Sequence, residues 1–278
     1  MKKAYKINDL CRCLDLPSST FYHKKVKHKI LNNKNIIKAM YEIAEKSKFT
    51  YGKRRMRVEM RKYGFTLSIY MIVKLMKKLN IKARCYIKRK YKYFKPEISK
   101  KNILNRKFKQ HEPNKVWVSD ITYIRTNNGW IYLSSIMDLY SRKIIAWAFS
   151  SKQDVALVIK TLKIALTKRN ITRNNKGLIL HTDQGSQYTS KKFQEFINSY
   201  NIESSMSNRG NCHDNSVKER FFNTLKTELI GKTIYDNVKV ASKEISRYIS
   251  LFYNKERLHS YLGYQSPNKF EINHKKYA

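Results

Sequence analysis

Apolar residues near the N-terminus recur with helical spacing. Ile7, Leu10, Cys11 and Leu14 stand at positions i, i+3, i+4 and i+7, which predicts a short amphipathic helix. Stripes of the same kind predict three further helices, over residues 34–46, over residues 52–62 and after an N-cap at Ser68. Two short helices joined by a glycine-containing turn, the second of them basic, are typical of a helix-turn-helix. We therefore expect a small all-α domain of this type in the first third of the chain.

The pattern changes to period two beyond residue 114. Alternating apolar and polar residues predict strands over 116–126, 130–138 and 143–149, and the turn residues at 126–129 predict a hairpin between the first two. The elements predicted after them are a helix over 153–168, a strand over 177–181, a helix over 190–199, a strand over 202–206, and helices over 214–229 and 238–253. This order predicts an α/β fold with a mixed five-stranded sheet and helices on both faces, as in ribonuclease H-like domains.

These patterns divide the chain into four parts. The expected parts are a short helical stub over 1–30, the helix-turn-helix domain over 31–90, a basic linker over 91–113, and the α/β domain with a C-terminal helical extension over 114–278. The linker is inferred because basic and aromatic residues interleave there, periodicity fades, and Pro96 and Pro113 bracket the stretch. Such a composition favours contact with phosphates.

The charge of the chain indicates a polyanionic partner. The 278 residues include 59 Lys and Arg against 20 Asp and Glu, a net charge of +39. Residues 1–110 carry 33 basic and 6 acidic residues (+27), and residues 111–278 carry 26 and 14 (+12). An AT-rich coding sequence would explain abundant Lys but not scarce Asp and Glu, so we infer binding to double-stranded DNA, mainly through the N-terminal part. The basic side chains expected to contact DNA there are Arg54, Arg55, Lys74, Lys77 and Lys78.

Membrane and disulfide-stabilised classes are disfavoured. The longest uninterrupted apolar run is Ile144–Phe149, far below the roughly 20 residues of a membrane span, and the N-terminus lacks the apolar stretch of a signal peptide. We therefore expect a cytoplasmic protein, associated with the nucleoid when bound to DNA. The four cysteines form no disulfide framework, and the spacing of Cys11 and Cys13 suits burial better than a zinc site.

Three carboxylates of the acid-poor α/β part are placed for chemistry on phosphodiesters. Asp120 lies in the first predicted strand, Asp183 directly follows the fourth, and Glu219 lies within a predicted helix. The first and fourth strands of such a sheet are neighbours, so Asp120 and Asp183 can meet and a helix above them can add Glu219. Phosphodiester cleavage benefits from two divalent cations about 3.5–4 Å apart, and Mg²⁺ prefers carboxylate oxygens. The sequence therefore predicts a carboxylate metal site.

Motifs along most of the chain resemble one family. They are Trp117–Tyr123, Asp138–Arg142, His181–Tyr188, Asp214–Glu219, Phe221–Lys226, Tyr253–His259 and Leu262–Pro267, together with Tyr51–Arg55 and Leu75-Met76 in the N-terminal part. With them the chain resembles the second-reading-frame transposases of bacterial insertion sequences, whose catalytic domain is similar to retroviral integrase. Thirty-five residues separate Asp183 from Glu219, which is the spacing of that family.

The resemblance implies a polynucleotidyl transferase with an integrase-like catalytic domain. Asp120, Asp183 and Glu219 would hold two Mg²⁺ (or Mn²⁺) ions that activate water for cutting, and then the freed 3′-hydroxyl for joining. Lys226, two helical turns after Glu219, matches a basic residue that the family places beside the DNA end. The resemblance also implies self-association on DNA and fusion or association with an upstream-frame product. The alternatives are a nuclease of the same fold without joining and a non-enzymatic DNA-binding regulator.

Other polar residues near the motifs have more than one possible role. Asp138 is a rival metal ligand, but Arg142 four residues later offers it an ion pair. Asn215 would either touch DNA or cap the helix that carries Glu219. The candidate supporting residues, which would orient the carboxylates, brace the C-terminal helix or hold DNA, are His181, Gln184, Arg257 and His259.

Overall fold

The computed structural model describes residues 7–17, 29–84, 101–208, 212–231 and 233–277. Its N-terminal part is helical, as the apolar stripes predict. The helices are α1 (Ile7–Cys13), α2 (Lys34–Lys46), α3 (Lys53–Lys62) and α4 (Ile69–Lys78), with a 3₁₀ turn at Lys29–Asn32. Asn33 and Ser68 begin α2 and α4, since the side chain of each accepts hydrogen bonds from backbone N–H groups of the first turn.

The α/β part contains the mixed five-stranded sheet expected from the sequence. Its strands are β1 (Val116–Thr126), β2 (Gly129–Asp138), β3 (Ile144–Ser150), β4 (Ile179–Thr182) and β5 (Glu203–Met206). Their spatial order is β3-β2-β1-β4-β5; β1, β2 and β3 pair antiparallel, and β4 pairs parallel with both β1 and β5. The sheet therefore places β1 and β4 at its centre, side by side.

Helices cover both faces of this sheet. They are α5 (Val155–Arg169), α6 (Ser186–Thr189), α7 (Lys191–Asn198), α8 (Ser216–Leu225), α9 (Val238–Arg247) and α10 (Pro267–Tyr277). One buried cluster includes Trp117 and the apolar residues of α5 and α7. The other joins Ile131 and Phe221 to the cores of α2, α3 and α4. The α/β class with helices on both faces is thus confirmed, and the N-terminal helices share one continuous core with the sheet.

Several local features differ from the sequence-based expectation. Helix α8 continues as a π-helix over Lys226–Ile230, and α9 continues in the same way over Tyr248–Tyr253. The short helix α6 and the C-terminal helix α10 were not predicted, because neither has a long apolar stripe. No helix in the described ranges is long and apolar enough to cross a membrane. Cys11 is buried as expected, whereas Cys13 is exposed.

Part of the predicted linker packs onto the sheet. Residues 85–100 lie outside the described ranges, but Leu104 is buried and its backbone N–H donates to Ser205 Oγ at 3.1 Å. Arg106 Nε donates to Asp214 Oδ1 at 2.8 Å. A carboxylate held in this way has a lowered pKa despite the opposing effect of its desolvation. The described end of the predicted linker over 91–113 is therefore anchored to the α/β part.

A buried carboxylate connects the N-terminal helices to the C-terminal extension. Glu228, in the π-helical continuation of α8, accepts hydrogen bonds from Arg257 Nη2 at 2.7 Å and Nε at 2.8 Å, and from Tyr248 Oη at 2.6 Å. Arg55 of α3 lies 3.7 Å from the same carboxylate, and Arg84 donates to the backbone carbonyl of Glu228 at 2.8 Å. Three arginines from distant parts of the sequence thus converge on one residue.

This network shows where two of the candidate site residues lie. Arg257 is buried against Glu228, which raises the pKa of its guanidinium above the usual value although burial opposes the shift. It braces the C-terminal region. Arg55 also faces inward, over the ring of Tyr51 at 5.6 Å, and burial lowers the pKa of its guanidinium. Neither side chain projects into solvent as a free DNA contact would.

Replacing Glu228 by Gln should strongly destabilise the protein. The substitution keeps the side-chain volume but leaves Arg257 buried without a counter-charge, and breaking a buried ion pair in this way costs about 3–5 kcal/mol. The free energy of unfolding, measured by denaturant titration, should fall by that amount. In the matched control Glu195→Gln, which breaks the exposed pair with Lys191, the change should stay within about 0.5 kcal/mol. Equal losses in both variants would contradict a central role for Glu228.

Candidate active site

The sheet brings Asp120 and Asp183 side by side. In the parallel pairing of β1 with β4, Val118 stands opposite His181. Asp120 and Asp183 each follow two residues later, so they occupy equivalent positions on neighbouring strands. Because side chains alternate along a strand, this equivalence directs both carboxylates to the same side.

Burial and mutual repulsion disfavour ionisation of this pair. Burial raises the pKa of Asp120 well above its usual value, and the neighbouring Asp183 raises it further. Burial also raises the pKa of Asp183. Each carboxylate is partly compensated by one backbone donor: Ile121 N–H lies 2.7 Å from Asp120 Oδ1, and Gly185 N–H lies 3.1 Å from Asp183 Oδ1. Two close carboxylates with so few donors are electrostatically prepared for a cation.

Gly185 permits the turn that holds Asp183. A Cβ atom at this position would lie 3.0 Å from Asp183 Oδ1 and 3.1 Å from Gln187 Oε1, which is closer than ordinary contact allows. A side chain at this position would crowd the Asp183 carboxylate and force a shift of a few tenths of an ångström, which the glycine in the motif His181–Tyr188 avoids.

Glu219 lies close enough to Asp120 to act on it. Its negative charge contributes to the raised pKa of Asp120, although less than burial and Asp183 do. The residue is exposed on α8, above the two strands. Within the described ranges, no three residues among His, Cys, Asp and Glu are close enough together to hold a metal ion. The structure thus brings two of the expected carboxylates together and places the third near them.

The donors at this site fit a hard divalent cation. Asp120 and Asp183 offer carboxylate oxygens, and no thiol or imidazole accompanies them in the contacts described above. Mg²⁺ and Mn²⁺ prefer such oxygen ligands. Mg²⁺ also commonly uses only one or two protein carboxylates and completes its coordination with water and substrate phosphates. The arrangement is therefore chemically suited to a metal that binds together with DNA.

Lys218 is a charged residue of this site that the sequence analysis missed. Its side chain is fully buried, and Nζ donates to Ser135 Oγ at 2.8 Å, on the residue paired with Asp120 across β1 and β2. The ammonium also lies 4.9 Å from the ring centroid of Phe221. Burial lowers the pKa of Lys218 to about 7, while the attraction of Asp120 opposes the shift.

A helical stripe in the sequence contained the signal for this burial. Residues 218, 221, 222 and 225 follow the spacing i, i+3, i+4 and i+7, and all four side chains are buried on α8. A lysine in an apolar position of such a stripe must find a partner inside the protein. In this fold the partners are Ser135 and the negative charge of Asp120.

Lys226 lies at the end of the same helix. Its ammonium is 4.9 Å from the ring centroid of Tyr123, three residues beyond Asp120 on β1. Lys226 keeps right-handed helical dihedral angles at the junction of α8 and the π-helix. Because α8 is regular up to this junction, the two-turn offset from Glu219 that the sequence analysis assumed applies along its length.

His181 and Gln184 support the backbone instead of the carboxylates. His181 is fully buried, with Nδ1 2.9 Å from Ser205 Oγ and Nε2 3.1 Å from Ser207 Oγ. Gln184 Nε2 donates to the carbonyl of Ser207 at 2.9 Å. Both side chains tie the end of β4 to β5, so they fix the strand that leads to Asp183.

Asn215 does not cap α8 with its side chain. It occupies the N-cap position of α8, but its side chain makes no capping hydrogen bond. The backbone there has φ −112° and ψ 18°, which differs from the extended conformation of a capping residue. The side chain is buried, and its Oδ1 has no hydrogen-bond partner in the described chain. The capping interpretation is therefore wrong.

Asp138 does not pair with Arg142. The carboxylate is fully buried, accepts hydrogen bonds from the backbone N–H groups of Asn114 at 2.9 Å and Tyr140 at 3.0 Å, and lies 3.5 Å from Arg169 Nη2. Burial raises its pKa to about 6. Arg142 adopts a left-handed φ of 57° in the turn after β2, and its guanidinium packs elsewhere. Asp138 thus has a structural role, with a different arginine from the one expected.

The basic residues of the N-terminal helices differ in how far their side chains are exposed for contact with DNA. Arg54 and Lys77 are exposed. Lys74 is half-buried, with Nζ 4.9 Å from the ring centroid of Tyr70. Lys78 is exposed but donates to the carbonyl of Leu31 at 2.8 Å. Arg54 and Lys77 are therefore better placed for an added phosphate contact than Arg55.

Family models match the two parts of this architecture. Residues 110–212 and residues 192–267 each match an integrase core domain, and residues 31–91 match an HTH-like domain. The simian T-cell lymphotropic virus intasome in complex with PP2A regulatory subunit B56 gamma is a similar solved structure, with 14% identity, a TM-score of 0.48, and coverage of 83% of this chain and 73% of that chain. The integrase core matches define an enzyme of the integrase-core class, a polynucleotidyl transferase.

Curated relatives place the chain within that class. The transposase for insertion sequence element IS904 of Lactococcus lactis is 38% identical over 251 residues, which cover 89% of this chain and 96% of the relative. The transposase InsF for insertion sequence IS3A of Escherichia coli K12 is 30% identical over 275 residues, covering 96% and 94%. The chain therefore belongs to the insertion-sequence transposases with an integrase-like core, and its function is DNA strand cleavage and strand transfer. This confirms the resemblance drawn from the motifs.

Replacing His181 by Gln should remove part of the acid sensitivity of the fold. Burial lowers the pKa of His181 from 6.5 to about 4, so the folded state resists protonation that the unfolded state accepts. The resulting stability is present above pH 6.5 and is lost as the pH falls towards 4. Between pH 7.5 and 5 the wild type should lose about 2 kcal/mol more unfolding free energy than His181→Gln. Urea titrations at both pH values measure this difference.

His111→Gln, which alters an exposed histidine, is the matched control. Its loss of stability on acidification should equal that of the wild type. An equal loss in His181→Gln as well would contradict the inference that the imidazole is held neutral by burial.

Proposed function

We propose that Asp120, Asp183 and Glu219 form the catalytic site of this transposase and bind two Mg²⁺ (or Mn²⁺) ions. The observation that carries the proposal is the equivalent position of Asp120 and Asp183 on two parallel strands, with their charges in direct repulsion. When bound, such ions supply Lewis-acid activation of the attacking oxygen and stabilisation of the leaving oxygen. The third carboxylate would come from α8 when ions and DNA draw Glu219 inward.

The chain's own residues would hold and orient the reacting strands. Cleavage would use water at the ends of the mobile element, and joining would use the freed 3′-hydroxyl in an in-line displacement at the same carboxylates. Lys226 would contact phosphates near the scissile bond from the end of α8. Its flexible point charge tolerates small differences in strand position. The exposed basic residues of the N-terminal helices would bind the flanking duplex.

Larger assemblies belong to the same proposal. Two element ends must be held together for transposition, which favours self-association of the transposase on DNA. We also propose that this chain works as a fusion or an associate of an upstream-frame product, and that it is associated with the nucleoid when bound to DNA. The proposed division of the chain is a helix-turn-helix domain over 31–90 and a catalytic domain over 114–278.

Loss of either central carboxylate should abolish catalysis without abolishing DNA binding. Asp120→Asn and Asp183→Asn should each reduce Mg²⁺-dependent cleavage and joining to background. DNA affinity should change by less than about three-fold, because phosphate contacts by basic residues dominate it. The measurements are gel assays on duplexes that carry the element's ends, and filter binding of the same duplexes.

The matched control for this comparison is Asp236→Asn, which removes an exposed carboxylate away from the strand pair. It should cleave and join like the wild type. Normal cleavage by Asp120→Asn or Asp183→Asn would refute the proposed site.

Replacing Lys218 by Met should increase the response of the protein to Mg²⁺. Without the ammonium, Asp120 and Asp183 repel each other with less compensation, so the ion-free protein becomes less stable and an added cation binds more tightly. The Mg²⁺-induced rise in melting temperature should exceed that of the wild type by about 2–4 °C, equivalent to about 1 kcal/mol. Thermal unfolding with and without Mg²⁺ measures it.

Lys191→Met removes an exposed lysine on α7 and serves as the control. Its Mg²⁺-induced rise should match that of the wild type. If Lys218→Met behaved in the same way, Lys218 would not influence the carboxylate pair.

A further inference from the structure

A cavity beside α8 is lined by arginines and aromatic rings. It has a volume of about 360 Å³ and lies between α8, the turn after β2, α3 and the segment 253–261. Four arginines line it: Arg55, Arg142, Arg220 and Arg257. Its apolar lining is provided by Phe108, Met137, Val217, Phe221, Tyr253 and Tyr261. A volume in the range of roughly 300–1,000 Å³ is typical of pockets for small ligands.

The positive charge of this cavity is only partly compensated. No Asp or Glu lines it, and the buried Glu228 pairs with Arg257 and Arg55 at its edge. Within the described ranges, no carboxylate lies within ion-pair distance of Arg142 or Arg220. Two guanidinium groups therefore face the cavity without a negative partner. Guanidinium groups bind phosphate oxygens with a matching geometry.

Two buried polar atoms in the lining also lack partners. Arg142 Nη1 and His259 Nε2 are inaccessible to solvent and make no hydrogen bond in the described chain. Arg142 is 6% exposed and His259 is 9% exposed. A buried polar atom without a hydrogen bond destabilises the protein, and a ligand that reached it with a suitable polar atom would restore the missing bond.

The rest of the Arg142 side chain is already fixed. Its Nη2 donates to the carbonyl of Phe108 at 3.0 Å, and the guanidinium lies 4.0 Å from the ring centroid of Tyr261. The group is therefore held in one orientation, and its Nη1 makes no hydrogen bond in the described chain. Burial lowers the pKa of His259 far below its usual value, and the nearby arginines add to the effect. The imidazole is consequently neutral and contributes a hydrogen-bonding nitrogen instead of a charge.

We propose that this cavity binds one nucleotide of a DNA strand. The phosphate would lie against Arg142 and Arg220, and the base would pack on Tyr261 and neighbouring apolar side chains. Base stacking on aromatic rings combined with phosphate contacts is the general mode of single-strand recognition. The inference rests on the proposed function only in naming DNA as the source of the nucleotide.

The position of the cavity suits a strand that passes the active site. Ser216, Arg220 and Thr224 line it at intervals of four residues, so they form one face of α8. Glu219 lies on the same helix, and Lys226 lies at the junction of this helix with its π-helical continuation. A nucleotide held at Arg220 would therefore lie beside the helix that carries the third carboxylate. A strand frayed from the duplex near the cut would fit this arrangement.

Binding of thymidine 5′-monophosphate to the full-length protein tests the proposal directly. Titration calorimetry at moderate salt should detect saturable binding, with thymidine at least about ten-fold weaker because it lacks the phosphate. Arg220→Gln and Arg142→Gln should each weaken binding of the nucleotide by about ten-fold or more. Arg220 is exposed, so its variant remains informative if Arg142→Gln fails to fold.

Arg173→Gln is the matched control. The guanidinium of Arg173 also lies near a tyrosine ring, 5.9 Å from the ring centroid of Tyr200, but Arg173 does not line this cavity. It should bind the nucleotide within about two-fold of wild type if attraction to the overall positive charge is unimportant. Equal weakening in Arg173→Gln, equal binding of thymidine, or no saturable binding would overturn the proposal.

The same titration on Asp120→Asn separates this proposal from the catalytic one. The variant should bind the nucleotide like the wild type while failing to cleave. Nucleotide binding with no cleavage by the wild type would leave the cavity assigned and the catalytic proposal refuted. Cleavage by the wild type without nucleotide binding would refute the assignment of the cavity and leave the catalytic proposal standing.

Discussion

The repulsion between two half-buried carboxylates is the constraint on which the rest of the α/β part depends. Asp120 and Asp183 are held on adjacent parallel strands, partly removed from water, where like charges are costly. The fold can hold the two carboxylates together because their strands are central to the sheet and packed helices cover both of its faces. It offsets part of the cost with two backbone donors and the buried ammonium of Lys218. The remaining negative charge would attract the divalent cations of the proposed site.

Lys218 stabilises the aspartate pair without occupying the oxygens that a metal would need. An internal ammonium would normally compete with a metal, but the hydrogen bond of Lys218 goes to Ser135 Oγ instead of a carboxylate oxygen. The two aspartates therefore keep lone pairs for other partners. The lysine stabilises the pair in the absence of metal while leaving the ligand oxygens available.

Much of this architecture follows from local patterns in the sequence. The period-two segments and the order of elements predicted the sheet, and the position of Asp120 within the first strand and of Asp183 directly after the fourth predicted their meeting. The Asp138–Arg142 pairing failed for a local reason, because Arg142 adopts a left-handed turn conformation that sequence spacing does not reveal. The burial of Lys218 could have been inferred from the stripe on α8, had the lysine been counted as an interior position.

Contacts between distant segments could not be predicted in the same way. Arg55, Arg84, Tyr248 and Arg257 meet at Glu228 only after the helices have packed. Each of these residues, read alone, is an ordinary surface candidate, and for an arginine in a basic protein DNA contact is the natural expectation. The role of each residue is decided by its acidic partner, Glu228. The position of Glu228 depends on the whole tertiary fold.

The unbroken course of α8 and its π-helical continuation, from Ser216 to Ile230, has a consequence for redesign. Glu219 and Glu228 are nine residues apart on this one rod, so the third carboxylate and the anchor of the N-terminal helices move as one piece. Exchanging those helices for another DNA-reading module would remove Arg55 and Arg84 and leave Glu228 exposed to an unmatched surface. A functional chimera would have to transplant these two arginines with the new module, or neutralise Glu228 and refill the space around it.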